Sequence, residues 1–316
     1  MEHGTAKPFS VSVLIATRDR PDQFCRCLSA LAGKGAARLI KEVIVLEDGS
    51  PPGVQESVRS SLESVCALMG VPHRLLLNTS PEGIAVARGR LSNAASPDSA
   101  YSLYLDDDVY LARGCLTELV ECLASWPAAG VAGPRTVFSD KPGVTAHGAN
   151  FVSRWTGIYA ETDPPVRTEC DWLLTTCFLV KREVLAAGVD FEPGFYFTHA
   201  EVDFCLRAAA AGFRTVYCPA AVALHDEKAG LVKPERLYYM YRNKFLVLRR
   251  GLRLPGRLTA LLFTAVLGTP RYLAESLIRN RRADIRELRL IFKAVIHGLA
   301  GRMGPLQDNS AAARRR

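Results

Sequence analysis

Three consecutive carboxylates, Asp106, Asp107 and Asp108, close the short apolar run Tyr101-Ser102-Leu103-Tyr104-Leu105. Like charges packed this closely repel unless a cation or water screens them. Carboxylate oxygens are the ligands a hard divalent ion such as Mg2+ or Mn2+ takes. A solvated Asp-rich turn would have the same composition, so the rest of the chain must decide. A second acidic pair, Glu47-Asp48, closes another apolar run, Val43-Ile44-Val45-Leu46. A carboxylate at such a place can accept a ribose hydroxyl or a base N–H, because it is an acceptor-only group.

Positioning these groups at one spot requires a particular sheet. Val11–Ala16 reads as a buried parallel strand, and Pro21 is placed to open a helix running to Leu31. Glu42–Leu46 is a second strand, closed by the turn formers Asp48-Gly49-Ser50-Pro51-Pro52. A helix over Val54–Met69, a strand over Arg74–Leu77, a helix from Gly83 through Ala95 and the Asp-ended strand follow. Alternating strands and helices predict an α/β fold, a mostly parallel, doubly wound twisted sheet with helices on both faces. In such a sheet Glu47-Asp48 and Asp106-Asp107-Asp108 end on the same crevice. The Gly-rich dinucleotide fingerprint is absent, with Thr17-Arg18-Asp19-Arg20-Pro21 in its place. A nucleotide-binding sheet is expected, but not a dehydrogenase.

Composition sets the outer bounds. The 316 residues suffice for a sizeable core, and 48% apolar with 23% charged residues is ordinary for a globular protein. No signal peptide is expected at the start, and the longest apolar run, near Leu258–Leu267, is too short to span a bilayer. Nine cysteines without a CxxC pair point to reduced, buried thiols in a cytoplasmic protein. Charge is unevenly placed: from Lys228 onward 20 Lys+Arg face 5 Asp+Glu, a net of +15, against −7 for residues 1–227.

Six segments in order resemble motifs of family 2 glycosyltransferases, inverting enzymes of the GT-A fold. They are Ser12–Pro21, Val43–Ser50, Gly83–Arg88, Leu105–Asp108, Glu201–Arg207 and the stretch from Gly212-Phe213 through Pro219 to His225. Tyr241-Arg242-Asn243-Lys244 is similar to the segment after the catalytic domain in rhamnosyltransferase-like members. The resemblance covers about residues 10–250. It implies that Thr17, Arg20 and Asp48 line the nucleoside site and that Arg88 lies near the donor pyrophosphate. It implies that Asp106 and Asp108 form a DxD motif holding Mn2+ or Mg2+, with Asp106 also on the donor side, and that His225 is a further metal ligand. Glu201 falls where the family carries its general base. Two departures stand out: Glu47 replaces the more usual Asp, and Ala200 a commonly acidic residue.

The implied activity is metal-dependent, inverting transfer of a hexosyl or deoxyhexosyl group from a nucleoside-diphosphate sugar to a hydroxyl of a glycan, lipid-linked or small-molecule acceptor. A nucleotidyltransferase would want a Lys-bearing Gly-rich loop after the first strand. A non-catalytic nucleotide-sugar binder would be expected to lose the base or the metal acids. The expected domains are a catalytic domain over 8–230, with a nucleotide half (8–108) and an acceptor half (109–230), a basic amphipathic helical extension over 231–300, and a disordered basic tail over 301–316. Helices are expected over Pro234–Arg250, Arg257–Arg279 and Ile285–Leu299. Their apolar faces edged by Arg fit peripheral attachment to an anionic membrane, on the inner face of the cytoplasmic membrane. Packing on the catalytic body, or on a second copy in a homodimer, is the alternative; nucleic acid is the runner-up anionic partner, but no nucleic-acid motif is present and no nucleic acid is expected to bind.

Overall fold

A computed structural model describes residues 9–33, 35–226, 234–271 and 285–306. Strand β1 (Val11–Thr17), helix α1 (Pro21–Leu31), β2 (Ile40–Glu47), α2 (Pro52–Met69), β3 (His73–Leu77), α3 (Ile84–Ala94) and β4 (Tyr101–Asp106) follow the expected alternation. Every interstrand pairing among β1 to β4 is parallel, in the order β4-β1-β2-β3. Near-complete burial of β1, β2 and β4 explains why their sequences are continuous apolar runs.

Beyond β4 the sheet becomes mixed. The elements are β5 (Val109–Leu111), α4 (Cys115–Ser125), β6 (Ala129–Phe138), β7 (Lys141–His147), β8 (Ala149–Val152), β9 (Tyr159–Thr162), β10 (Thr168–Cys170), β11 (Cys177–Lys181), α5 (Arg182–Ala186), α6 (Ala200–Ala210) and β12 (Arg214–His225). Strand β11 inserts antiparallel between β4 and β6, while β12 runs parallel to β6. The parallel character is therefore strongest in the first half, where helices supply the crossovers. The β6–β7 link, only a few residues long, forces an antiparallel pair.

Side chains alternate across the central strands. Val13, Ile15, Val43, Val45, Leu103 and Leu105 pack with α1, α2 and α4 in the main core. On the opposite face Tyr104, Phe178, Phe191 and Phe204 form an aromatic cluster, with Phe191 and Phe204 stacked at 4.8 Å. All nine cysteines are free and eight are buried.

The chain divides into two compact units. The first comprises Met1–Val152, Tyr159–Phe191 and Glu201–Ala229; the second comprises Ser153–Ile158, Glu192–Ala200 and Gly230–Arg316. The second unit is built on α7 (Pro234–Gly251), whose Phe245-Leu246-Val247-Leu248 run is buried on all sides. Helix α8 (Gly256–Phe263) continues into a π-helical turn, Thr264–Gly268, and α9 (Ile285–Leu299) packs on α7. A Cβ on Gly298 would meet Phe245 Cβ at 2.6 Å, so only glycine permits this approach. The helix expected over Arg257–Arg279 passes outside the described residues from 272.

Within this unit Arg242 and Asn243 are fully buried and clamp the Glu192–Ala200 segment. The Asn243 amide donates to the carbonyls of Phe195, Phe197 and Thr198, and Arg242 to those of Gly194, Phe195 and Gly304. The disorder expected from Gly301 onward does not hold for the first six of these residues. Gly304 N donates to Gly194 O at 2.7 Å and Leu306 N to the Tyr239 hydroxyl at 2.8 Å, so 301–306 are held by hydrogen bonds. The remainder, 307–316, lies outside the described residues.

His199 sits on the clamped segment with a positive φ of 64°. Burial, and then the Lys244 ammonium, push its imidazole down to about 3. The unfolded chain takes up this proton near pH 6.5 and the folded chain does not, so acid favours unfolding. Its stabilising contribution is intact above pH 6.5 and is lost as pH falls from there towards 3, by up to about 1.4 kcal/mol per pH unit. Urea unfolding at pH 7 and pH 5 should show this loss, and His199→Gln should flatten it; an equal slope in the variant would acquit His199.

Candidate active site

The acidic triplet lies in the first unit, where β4 turns into β5. Its three carboxylates face different partners. Asp106 Oδ1 accepts from Arg88 Nη2 at 2.7 Å, and the same nitrogen reaches Thr175 O at 3.4 Å. Arg88 is buried on α3, with its guanidinium 5.6 Å from the Phe191 ring centre. Asp107 turns inward and accepts from the Thr17 hydroxyl at 2.8 Å and from Arg20 at 3.3 Å. Burial, reinforced by Asp108 and Asp106, lifts its carboxyl to about 7 although Thr17 and Arg20 oppose the rise. Asp108 receives Arg20 Nη1 at 2.6 Å on one oxygen, and its other oxygen lies 3.5 Å from His225 Nε2. Burial alone would raise Asp108; His225 and Arg20 outweigh it and hold the carboxyl below its ordinary value.

Topology explains why residues 200 positions apart meet. Thr17 ends β1 beside Glu47 of β2, and Ala16 pairs with Asp106, so these strands finish together. His225 ends β12 opposite Val109 of β5, one residue beyond Asp108. Asp226 N donates to Asp108 O at 2.9 Å, which ties the two chain segments together. The structure therefore brings together Thr17, Arg20, Arg88, Asp106, Asp108 and His225.

Asp48 lies at the end of β2 and is committed to its own loop. It accepts from Asn78 Nδ2 at 2.7 Å, Glu82 N at 2.9 Å and Gly83 N at 3.3 Å. Three of its roughly four acceptor positions are thus occupied by protein donors. Gly49 follows with φ +82°, and a Cβ there would strike the Ser80 backbone at 2.7 Å. The Asp48-Gly49 pair thereby seats the β3–α3 loop against the sheet end. Glu47, fully buried, accepts from Ser50 N with both oxygens at 3.1 Å; this turn-closing role needs a carboxylate and tolerates the longer side chain.

Glu201 is buried in the first turn of α6. The loop over residues 171–176 lies between the triplet and Tyr159, whose hydroxyl senses the Glu201 charge. Asp106 N donates to Thr176 O at 2.9 Å, and Trp172 of the same loop meets Tyr159 edge-on at 5.5 Å. Burial, and then the Glu201 charge, raise the Tyr159 hydroxyl. Asp203 instead pairs with Arg207 one turn on, Nε to Oδ2 at 2.7 Å.

Several participants escape a reading of the sequence. Tyr159 is 42 positions from Glu201 and carries no local signal. Asp226 directly follows His225 and gathers Arg26 at 2.9 Å, the Ser139 hydroxyl at 2.6 Å and the Tyr110 hydroxyl at 3.1 Å. His147 places its ring 5.8 Å from that of His225.

The donor set offers a divalent ion two converging ligands. Among the described residues no three His, Cys, Asp or Glu side chains converge into a cage. Asp108 and His225 do converge, as an oxygen and a nitrogen donor 3.5 Å apart. Mg2+ and Mn2+ sites that handle phosphates use one or two protein carboxylates and leave positions to the substrate. The arrangement fits an ion of that kind completed by a diphosphate. Arg88 and Arg20 meanwhile balance Asp106 and Asp108.

Known proteins resemble this chain in sequence and fold. The sequence model of "Glycosyl transferase family 2" matches residues 12–188. An N-acetylglucosaminyl-diphospho-decaprenol L-rhamnosyltransferase of Mycobacterium tuberculosis is 25% identical over 212 residues, 58% of this chain and 66% of the relative, just under two thirds of its length. Among solved structures, GalNAc-T7 with UDP, GalNAc and Mn2+ superposes with a TM-score of 0.65 at 13% identity, covering 92% of this chain and 56% of that one. The mannosyltransferase PcManGT from Pyrobaculum calidifontis, in complex with GDP-Man and Mn2+, gives 0.56 at 17% identity, covering 94% and 88%. With the family model matched over more than half of its length, the chain belongs to glycosyl transferase family 2 and carries the GT-A fold.

Proposed function

We propose that the protein is an inverting, metal-dependent glycosyltransferase that moves a deoxyhexosyl or hexosyl group from a nucleoside-diphosphate sugar to an acceptor hydroxyl. The observation that carries the reading is the meeting of Asp106, Asp108, His225, Arg88 and Arg20 at the ends of β1, β4 and β12. Carboxylates alone would repel a diphosphate. Two guanidiniums beside them give phosphate oxygens a bidentate partner. Asp106, Asp108 and His225 would hold Mn2+ or Mg2+, which when bound supplies Lewis-acid stabilisation of the leaving diphosphate.

The remaining chemistry falls to Glu201. The acceptor O–H attacks the anomeric carbon, the bond from that carbon to the diphosphate oxygen breaks, and the hydroxyl proton passes to the Glu201 carboxylate. Its place in the first turn of α6 favours the ionised form. One displacement inverts the anomeric centre. Thr17 and Asp48 line the nucleoside end in this reading, Thr17 with its hydroxyl on Asp107 and Asp48 with its one open acceptor position. The M. tuberculosis relative is named for rhamnosyl transfer to a diphospho-decaprenol-linked sugar; on that basis we favour a deoxyhexose donor and a lipid-linked acceptor here.

A thermal-shift screen against UDP-, dTDP- and GDP-sugars, with and without Mn2+, tests the donor site. One nucleotide class should raise the melting temperature in the presence of Mn2+. Absence of any shift across the three would refute the donor reading.

A further inference from the structure

We propose that α9 is an interfacial helix by which the second unit docks on an anionic lipid surface, its exposed apolar stripe in the bilayer interface and its basic edge on the headgroups.

Helix α9 carries two apolar faces where a helix in a globular unit needs one. Ile291, Ala294 and Gly298 are buried, and Gly298 marks the face set on α7. A second set faces solvent: Phe292 is 70% exposed, Ile285 64%, Ile296 49% and Leu299 41%. At about 100° per residue these four, with Leu288, fall within roughly 80° of one another on the helix circumference. The buried face lies roughly 130° away. Scattered exposed leucines need no explanation; an aligned stripe along a fifteen-residue helix does.

The charges beside the stripe identify its occupant. Arg289 and Lys293 follow it on one side, over the next roughly 60° of the circumference, with Arg286 beyond them paired to Glu235 at 2.5 Å. The segment from Lys228 onward has a net charge of +15. A two-fold pairing of stripes between two copies would bring these cations together, whereas anionic headgroups complement them. In the same unit α8 and its π-helical turn expose Leu258, Leu262 and Val266 at i, i+4, i+8 spacing. No helix among the described residues is long and apolar enough to cross a membrane, so the contact is in-plane.

The test is vesicle co-sedimentation of the full chain. Binding to vesicles with roughly 30 mol% phosphatidylglycerol should exceed binding to pure phosphatidylcholine at least about tenfold and weaken as salt is raised. Phe292→Asp/Ile296→Asp should abolish it, and Arg289→Glu/Lys293→Glu should reduce it about tenfold or more, with thermal melts matching the parent. The two wild-type comparisons need no substitution, so a variant that fails to fold leaves the proposal open to refutation. Equal binding to both vesicles, no binding to either, or unchanged binding by Phe292→Asp/Ile296→Asp would overturn it. So would a doubled molecular mass in solution that this variant halves, which would assign the stripe to self-association.

Discussion

Glu201→Gln should lower the turnover of sugar transfer by about a thousandfold while leaving nucleoside-diphosphate affinity within about twofold of the parent. Gln keeps the volume and the polar edge of the side chain but removes its capacity to take a proton. The site is sensitive to that loss because Glu201 is buried in the first turn of α6, out of reach of bulk water as a substitute base. The acceptor would then have to lose its proton without a base at hand, against an alkoxide-like barrier. The donor groups Arg88, Arg20 and Asp106 are untouched, so binding should persist. The split between kcat and nucleotide Kd separates a base from a structural carboxylate, whose removal would disturb both. Turnover retained within about tenfold would remove Glu201 from the proton transfer.

Asp106→Asn should have the second largest effect, and it acts on stability as well as activity. The Asp106–Arg88 pair is asymmetric in exposure, 28% for the carboxylate side chain and 7% for the guanidinium. Neutralising Asp106 leaves the buried Arg88 charge with neutral acceptors only, the substituted amide oxygen and the Thr175 carbonyl at 3.4 Å. Breaking a fully buried pair costs about 3–5 kcal/mol; the partial exposure of Asp106 brings the expected loss to about 2 kcal/mol. Activity should fall about a hundredfold and lose its response to added Mn2+. A double-mutant cycle separates the two effects. Adding Arg88→Met should recover most of the stability, because no buried charge is then stranded, and none of the activity. Recovery of activity would mean that Asp106 serves only to neutralise Arg88.

The first half of the fold is legible in the sequence because each parallel strand there is buried on both faces. Continuous apolar runs such as Val11–Ala16 leave few alternatives, and Pro21 marks a helix start, whereas the helix expected from Val54 begins at Pro52, which reads as a turn former. The second half is less legible. The antiparallel insertion of β11 between β4 and β6 depends on pairings across more than 40 residues, which no local pattern encodes. The same division holds for the site. Asp106, Asp108, Arg20 and Arg88 stand in short motifs at strand ends and helix starts, and are visible as such. Asp107, the middle residue of the DxD reading, is set apart from its neighbours in sequence; in the structure the turn after β4 directs it inward onto Thr17, and burial lifts its carboxyl. Asp48 reads as a ligand group, yet most of its acceptor capacity is spent on Asn78, Glu82 and Gly83. Tyr159 has no sequence signature, since its significance arises only when β9 packs beside the Trp172 loop. In the second unit apolar spacing located α7, the start of α8 and α9, while the expected end at Arg279 lies outside the described residues, and spacing did not say which side of α9 would pack on α7.

The most direct test of the proposed activity is the anomeric configuration of the product. The nucleotide sugar selected in the thermal-shift screen is incubated with Mn2+ and an acceptor, and the configuration of the new glycosidic bond is read from its anomeric NMR signals. Inverted configuration at the transferred sugar, lost on chelation of the metal and lost in Glu201→Gln, is the expected result. A product of retained configuration, or transfer undiminished by chelation, would contradict a single displacement driven by Glu201 at this site.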